Sequence, residues 1–154
     1  MKKIFTLIIF ALALGFSAAA QEAKPQDPEK HVARVFPMPY EHMYFHSEIL
    51  GCDKNFSVLL PKSYTKEPDR KYPVVYMLHG GGENDWEWAN IPCQMINEAV
   101  TKVTNDGSAC EVILVFPNAT EVKGGYNNRD DWKYEDYFFQ ELMPYVESHY
   151  RVIA

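Results

Sequence analysis

Three consecutive glycines, Gly80-Gly81-Gly82, follow His79 at the end of the apolar run Pro73-Val74-Val75-Tyr76-Met77-Leu78. A β-branched and aromatic run that stops at glycines reads as a buried strand meeting a loop made of backbone. Amides bare of side chains can take the negative charge that builds on a carbonyl oxygen under nucleophilic attack. Glycine suits that task because no Cβ blocks the incoming carbonyl and positive φ costs little. A plain strand-to-helix turn has the same composition, so spacing alone leaves both readings open. Gly81 and Gly82 are the candidate donors. His79 reads as a brace whose ring holds the loop. A catalytic base must reach a nucleophile and be oriented by an acid.

No nucleophile accompanies the loop. Ser47, Ser57, Ser63, Ser108 and Ser148 all lack flanking glycines at a strand-to-helix turn, and Gly15-Phe16-Ser17 lacks a closing glycine. His42 and His46 invite a metal reading. At about 3.3 Å per residue along a strand they share a face but stand too far apart to chelate one ion well. They read instead as surface histidines on an edge strand, and no metal or organic cofactor is expected. The acid pairs Asp130-Asp131 and Glu135-Asp136 suggest glycosidase chemistry only if they face each other. The first falls in a loop and the second opens a helix, where acids suit the positive end of the dipole. Trp86 and Trp88, just after the glycine loop, and Tyr126 and Trp132, in a second long loop, are candidate platforms for a phenolic or sugar ring. Packing of those loops is the competing explanation.

The elements that must position these residues follow from periodicity. Residues 42–50 and 56–60 read as strands, with Gly51-Cys52-Asp53-Lys54-Asn55 as their hairpin connection. Residues 73–78 form a third strand. From Cys93 to Val103, Met95, Ile96, Ala99, Val100 and Val103 recur at helical spacing, and Asn105-Asp106-Gly107 is a stop signal. The run at 111–116 is apolar throughout, as expected of a strand covered on both faces. Residues 120–131 read as a loop. Residues 134–150 read as a long amphipathic helix with Tyr137, Phe138, Leu142, Tyr145 and Val146 on one stripe, bent or broken at Pro144. Residues 151–154 lead into a further element. A hairpin followed by strand, helix, strand, helix predicts an α/β fold: a mixed, mostly parallel sheet with helices on both faces.

Residues 1–20 read as a signal peptide: Lys2-Lys3, an apolar stretch from Ile4 to Phe16, and Ala18-Ala19-Ala20 before Gln21. A secreted or periplasmic protein is therefore expected, with no membrane segment after cleavage. Residues 21–39, with four prolines, read as a polar linker. Residues 40–154 then hold one small domain. Without the leader lysines, thirteen basic residues face 21 acidic ones, a net charge of about −8. That balance excludes nucleic acid as a partner, because phosphate binding rests on clustered Lys and Arg. Cys52, Cys93 and Cys110 are an odd set, and no Cys-x-x-Cys motif is present. Three buried thiols, or one bridge and one thiol, both fit.

The ordered set Phe56-Ser57-Val58-Leu59-Leu60-Pro61-Lys62-Ser63-Tyr64, Tyr72 through Gly82, Asn84-Asp85-Trp86, and Asp136-Tyr137-Phe138 running to Ser148-His149-Tyr150 resembles the esterase branch of the α/β-hydrolases. That group holds esterase D-like enzymes, feruloyl esterases and mycolyltransferases. The resemblance covers nearly all of the chain after the leader and is nearest to the feruloyl-esterase members. It implies an exported carboxylic-ester hydrolase acting by serine acyl transfer on carbohydrate-linked esters such as feruloyl or acetyl groups. It also implies that residues 80–82 supply part of an oxyanion hole. In this family a Gly-x-Ser-x-Gly elbow follows the Ser-His-Tyr helix end, and the acid and histidine come later. On that comparison the sequence corresponds to the N-terminal part of the domain, truncated before the nucleophile elbow, and by itself inactive. A second function class uses the same residues differently: a non-catalytic exported glycan-binding module presenting Trp86, Trp88, Tyr126 and Trp132.

Overall fold

A computed structural model describes residues 38–90, 96–120 and 125–153. The expected signal peptide, nearly all of the expected linker, and Cys93 lie outside the described residues. Four strands form the main sheet: β1 (Tyr40–Ser47), β2 (Cys52–Leu59), β3 (Val74–Tyr76) and β4 (Ile113–Pro117), in the order β1-β2-β4-β3. The hairpin β1–β2 and the ladder β2–β4 are antiparallel, and β3–β4 is parallel. A parallel bridge between Tyr72 and Val152 adds a first rung beyond β3. The sheet is mixed, as the element order requires, and its antiparallel share comes from the N-terminal hairpin.

Side-chain alternation on β2 and β4 divides the core in two. Phe56, Val58, Ile113 and Val115 face Tyr134, Tyr137, Leu142 and Val146. Leu59, Leu114 and Phe116 face the other way, with Ile96 and Val100 packed against them. Period-2 alternation in an all-apolar strand means both faces are covered, which is why β4 shows no polar position. The helix α2 (Ile96–Asn105) covers the second face. It ends where the sequence says, with Gly107 at φ 77°. Val103 is left at the surface. Met38 is buried and its N–H donates to Asn97 Oδ1 at 3.2 Å, so packing begins just before the expected domain start.

Two local expectations are corrected. Cys52, Asp53, Lys54 and Asn55 belong to β2, paired with Tyr44–Ser47, and the turn is residues 48–51. Its chemistry is tertiary: Glu141 accepts from Ser47 Oγ, from Glu48 N at 3.0 Å and from Ile49 N at 3.1 Å. Lys54 is fully buried with its ammonium 5.7 Å from the Trp132 ring and 5.5 Å from the Tyr134 ring. Local polarity therefore misreads this strand as a loop. Within 120–131, Asn128–Arg129 (β5) pairs with Trp132–Lys133 (β6) as a short hairpin.

The C-terminal helix runs as α3 (Tyr134–Tyr137), a wide π turn (Phe138–Leu142) and α4 (Met143–His149). Met143 N–H reaches back five residues to the Phe138 carbonyl. The widening falls just before Pro144, whose ring cannot follow a regular α turn and has no N–H to give. The expected break is thus a widened turn. On the open side of β3, Val75 is 40% and Leu78 47% exposed. Among the described residues, no helix is long and apolar enough to cross a membrane.

Candidate active site

Parallel pairing brings the carboxyl ends of β3 and β4 side by side. Two loops leave from that edge, the glycine loop after β3 and the Asn118–Thr120 segment after β4. Such an edge is where ligands bind in open α/β sheets. His79 joins the two loops. Its Nδ1 lies 2.8 Å from the Gly80 carbonyl, and its Nε2 accepts the Ala119 N–H at 2.9 Å. An Nε2 that accepts leaves the proton on Nδ1, which donates to Gly80. Both ring nitrogens are occupied within the scaffold, so His79 braces the loop and does not act as a base.

The glycine loop is a tight turn. Gly80 N donates to Glu83 Oε2 at 2.9 Å, Glu83 N donates to the Gly80 carbonyl at 3.3 Å, and Gly82 sits at φ +83°. Gly81 and Gly82 are exposed, and among the described residues their N–H groups have no hydrogen-bond partner. A Cβ built on either would meet nothing within 4 Å. These amides border a cleft of about 510 Å³. Its described wall is made of His79, the three glycines, Ala119 and Thr120, together with Gly125, Tyr126 and Arg129. The Tyr126 hydroxyl accepts the His79 N–H at 2.8 Å and donates to the His79 carbonyl at 3.2 Å. Burial pushes its pKa up to about 12, so it stays a neutral hydroxyl.

Beneath the loops lies a buried polar network that sequence reasoning missed. Asp85, the first residue of α1 (Asp85–Asn90), is fully buried. It accepts from Asn55 Nδ2 at 2.8 Å and Ser57 Oγ at 2.6 Å, and lies 3.1 Å from His42 Nε2. Asn118 Nδ2 donates to Asn55 Oδ1 at 2.9 Å, carrying the network to the second loop. His42 is therefore not a surface histidine as expected: its register opposite Ser57 turns it under α1 toward the Asp85 carboxylate. A serine, a histidine and an aspartate do meet here, but in the wrong order. Ser57 donates to the aspartate and is fully buried, so it has neither a base nor access to a substrate. An acid opening a helix after a glycine loop was the visible signal for Asp85; its three donors come from β1 and β2, which local pattern does not connect.

The remaining candidates are placed as follows. Of the four aromatic candidates, Tyr126 lines the cleft. Trp132, on β6, packs with the first core and over Lys54, so it is turned to the interior. Trp86 is partly buried on α1 and is not among the cleft-lining residues. The Trp88 side chain lies outside the described residues. His46 is exposed and bonded to Asp53 at 2.8 Å. Glu135 and Asp136 sit in the first turn of α3, and Asp136 bonds Asn128. Cys52 and Cys110 are not bridged. Among the described residues, no group of three His, Cys, Asp or Glu side chains could hold a metal ion.

A sequence-family profile described as "Putative esterase" matches residues 47–154. Endo-1,4-beta-xylanase Y of Acetivibrio thermocellus is 32% identical over 101 residues, 66% of this chain and 9% of that protein. A solved ferulic acid esterase is 34% identical with a TM-score of 0.68, covering 75% of this chain and 46% of the other. A ferulic acid esterase from Anaeromyces mucronatus, solved with ferulic acid, shares the fold at 24% identity and a TM-score of 0.59, covering 82% of this chain and 50% of the other. The chain thus spans half or less of the length of these proteins.

Proposed function

This chain belongs to the esterase family matched over residues 47–154, and from that premise we propose that it serves an exported carboxylic-ester hydrolase acting on carbohydrate-linked esters of the feruloyl or acetyl type. The observation that carries the reading is the pair of unpartnered amides at Gly81 and Gly82, bordering a cleft at the carboxyl edge of the sheet. An ester carbonyl entering there meets N–H donors that have no competing partner among the described residues. When a serine hydroxyl adds to the carbonyl carbon, the oxygen gains a full negative charge. Fixed amides then stabilise it without reorganising. His79 and Tyr126 hold the loop rigid from behind, so the donors stay aimed. Ser47, Ser57, Ser63, Ser108 and Ser148 all lack the elbow pattern, so in this reading the serine, its histidine and its acid are not among these 154 residues. The reading also keeps residues 1–20 as a cleaved signal peptide, residues 21–39 as a linker and residues 40–154 as the N-terminal part of the hydrolase domain, with a secreted or periplasmic location.

Two measurements test this. The chain alone should neither hydrolyse 4-nitrophenyl acetate or methyl ferulate nor take a fluorophosphonate label. A longer chain that continues through a Gly-x-Ser-x-Gly elbow should hydrolyse both, and Gly81→Pro, which deletes one N–H, should lower kcat by about 10²–10³-fold. Serine labelling of the 154-residue chain, or full activity in the proline variant, would refute the assignment.

A further inference from the structure

Among the described residues, one charged side chain borders the cleft, and it is a cation. Arg129 borders the same cavity as the glycine amides, and none of the other bordering residues is acidic. Among the described residues its guanidinium has no ion-pair or hydrogen-bond partner. The other two arginines there are engaged: Arg70 with Glu67 and Glu111, Arg151 with backbone carbonyls and the Tyr64 ring. The nearest acid in the glycine loop, Glu83, directs Oε2 at the Gly80 N–H. The Glu83 and Asp85 carboxylates act on Tyr126 and Asp130-Asp131 follow in sequence, yet none of these acids is paired with Arg129, so its guanidinium joins the Gly81 and Gly82 amides as donors that an anion can meet.

The arginine is also placed by structure. It lies on β5, paired with Trp132. The neighbouring Asn128 clamps Asp136 on α3 twice, Nδ2 to Oδ1 at 2.9 Å and Oδ1 from the Asp136 N–H at 3.2 Å. Trp132, on the partner strand, is seated against the buried Lys54. The hairpin is therefore pinned at both strands, and its arginine is presented from a fixed base.

We propose that Arg129 is the specificity-determining residue of this cleft and that the ester it accepts carries a carboxylate remote from the scissile bond. The inference rests on the ester-site reading and adds the substrate's charge to it. A guanidinium offers a planar fork that matches a carboxylate with two hydrogen bonds. With the ester carbonyl at Gly81 and Gly82, the carboxylate would be carried by either the alcohol or the acyl side.

Three probes separate the possibilities by NMR titration of the chain: 4-acetoxybenzoate, with its charge on the alcohol side; monomethyl terephthalate, with its charge on the acyl side; and neutral methyl 4-acetoxybenzoate. At least one charged probe should bind about ten-fold more tightly than the neutral one, with the Gly81 and Gly82 amide resonances shifting. Added salt should narrow the gap. Arg129→Gln should abolish the preference, Arg129→Lys should keep part of it, and Arg129→Glu should reverse it, the preference being read as the ratio of charged-probe to neutral-probe affinity within each variant. Equal binding of all probes at shifted glycine amides leaves the ester site standing and overturns the role of Arg129. A preference that survives Arg129→Gln overturns it too. If no probe moves those amides, the ester-site reading falls and this inference falls with it.

Discussion

Two loops leave the same edge of the sheet, and they treat their backbone in opposite ways. In the segment after β4 every amide is committed: Asn118 N to the Asn55 carbonyl, Ala119 N to His79 Nε2, and Thr120 N to Asn118 Oδ1. In the segment after β3, the amides of His79 and Gly80 are committed, and those of Gly81 and Gly82 are open to the cleft. Folded proteins pair nearly all of their backbone polar groups, or leave them to water. The contrast shows a division of labour: one loop is scaffold, and the other is held by that scaffold so that two donors remain available. His79 is the hinge of the arrangement, because its ring touches both loops.

The largest effect should come from the network below. Asp85→Ala removes the acceptor shared by Asn55, Ser57 and His42 and leaves buried donors unpaired. Losing one partner from such a cluster costs about 3 kcal/mol. Chemical denaturation should show that loss, and amide exchange at Ala119 and Thr120 should accelerate along with the glycine loop. Asp85→Asn keeps one acceptor oxygen and should lose about half as much. A loss below about 1 kcal/mol, with Ala119 still protected, would break the comparison by showing that the second loop holds itself.

How legible was all this in the chain itself? Strand β4 and the glycine loop are readable because their signals are local: a continuous apolar run, then residues without side chains. The edge location of the cleft follows from β3 and β4 being parallel neighbours, which strand–helix–strand order already implies. The hairpin turn is misplaced by local pattern because Cys52–Asn55 look polar, while Lys54 is buried against Trp132 and Tyr134, and Glu141 ties the true turn, all about eighty residues or more away in sequence. His42 is hard to read for the same reason, since its partner Asp85 lies two strands and their loops further on. Trp132 is attractive as a surface aromatic until a buried lysine appears beneath it. Local pattern reports an element's type and end; it does not report which long-range polar partner an element acquires.

A smaller effect separates two adjacent glycines. Gly82 has φ +83°, where a side chain is strained whatever the space around it. Gly82→Ala should therefore cost about 1 kcal/mol. Gly81 has no such φ and open space at its Cβ position. Gly81→Ala should stay within about 0.5 kcal/mol of the parent in stability. Equal costs at the two positions would mean that the turn relaxes as a unit and is not held by His79 and Glu83.

The smallest effect concerns the tie from Tyr126 and carries a pH signature. Its hydroxyl both accepts from and donates to the His79 backbone, so Tyr126→Phe unpairs one N–H and one carbonyl at the root of the glycine loop. A half-exposed position limits the cost to about 0.5 kcal/mol. The folded pKa is raised from 10.0 to about 12, mainly by burial. A phenol whose pKa is raised on folding contributes stability that is whole below pH 10 and drains away as pH climbs through about 12. The deprotonated ring can no longer donate to the His79 carbonyl, and the loop loosens from that side. Stability measured from pH 9 to pH 12 should fall more steeply in the parent than in Tyr126→Phe, and the difference between the two should shrink with rising pH. Parallel curves would place the tie elsewhere and leave the His79 ring and Glu83 as the supports of the open amides.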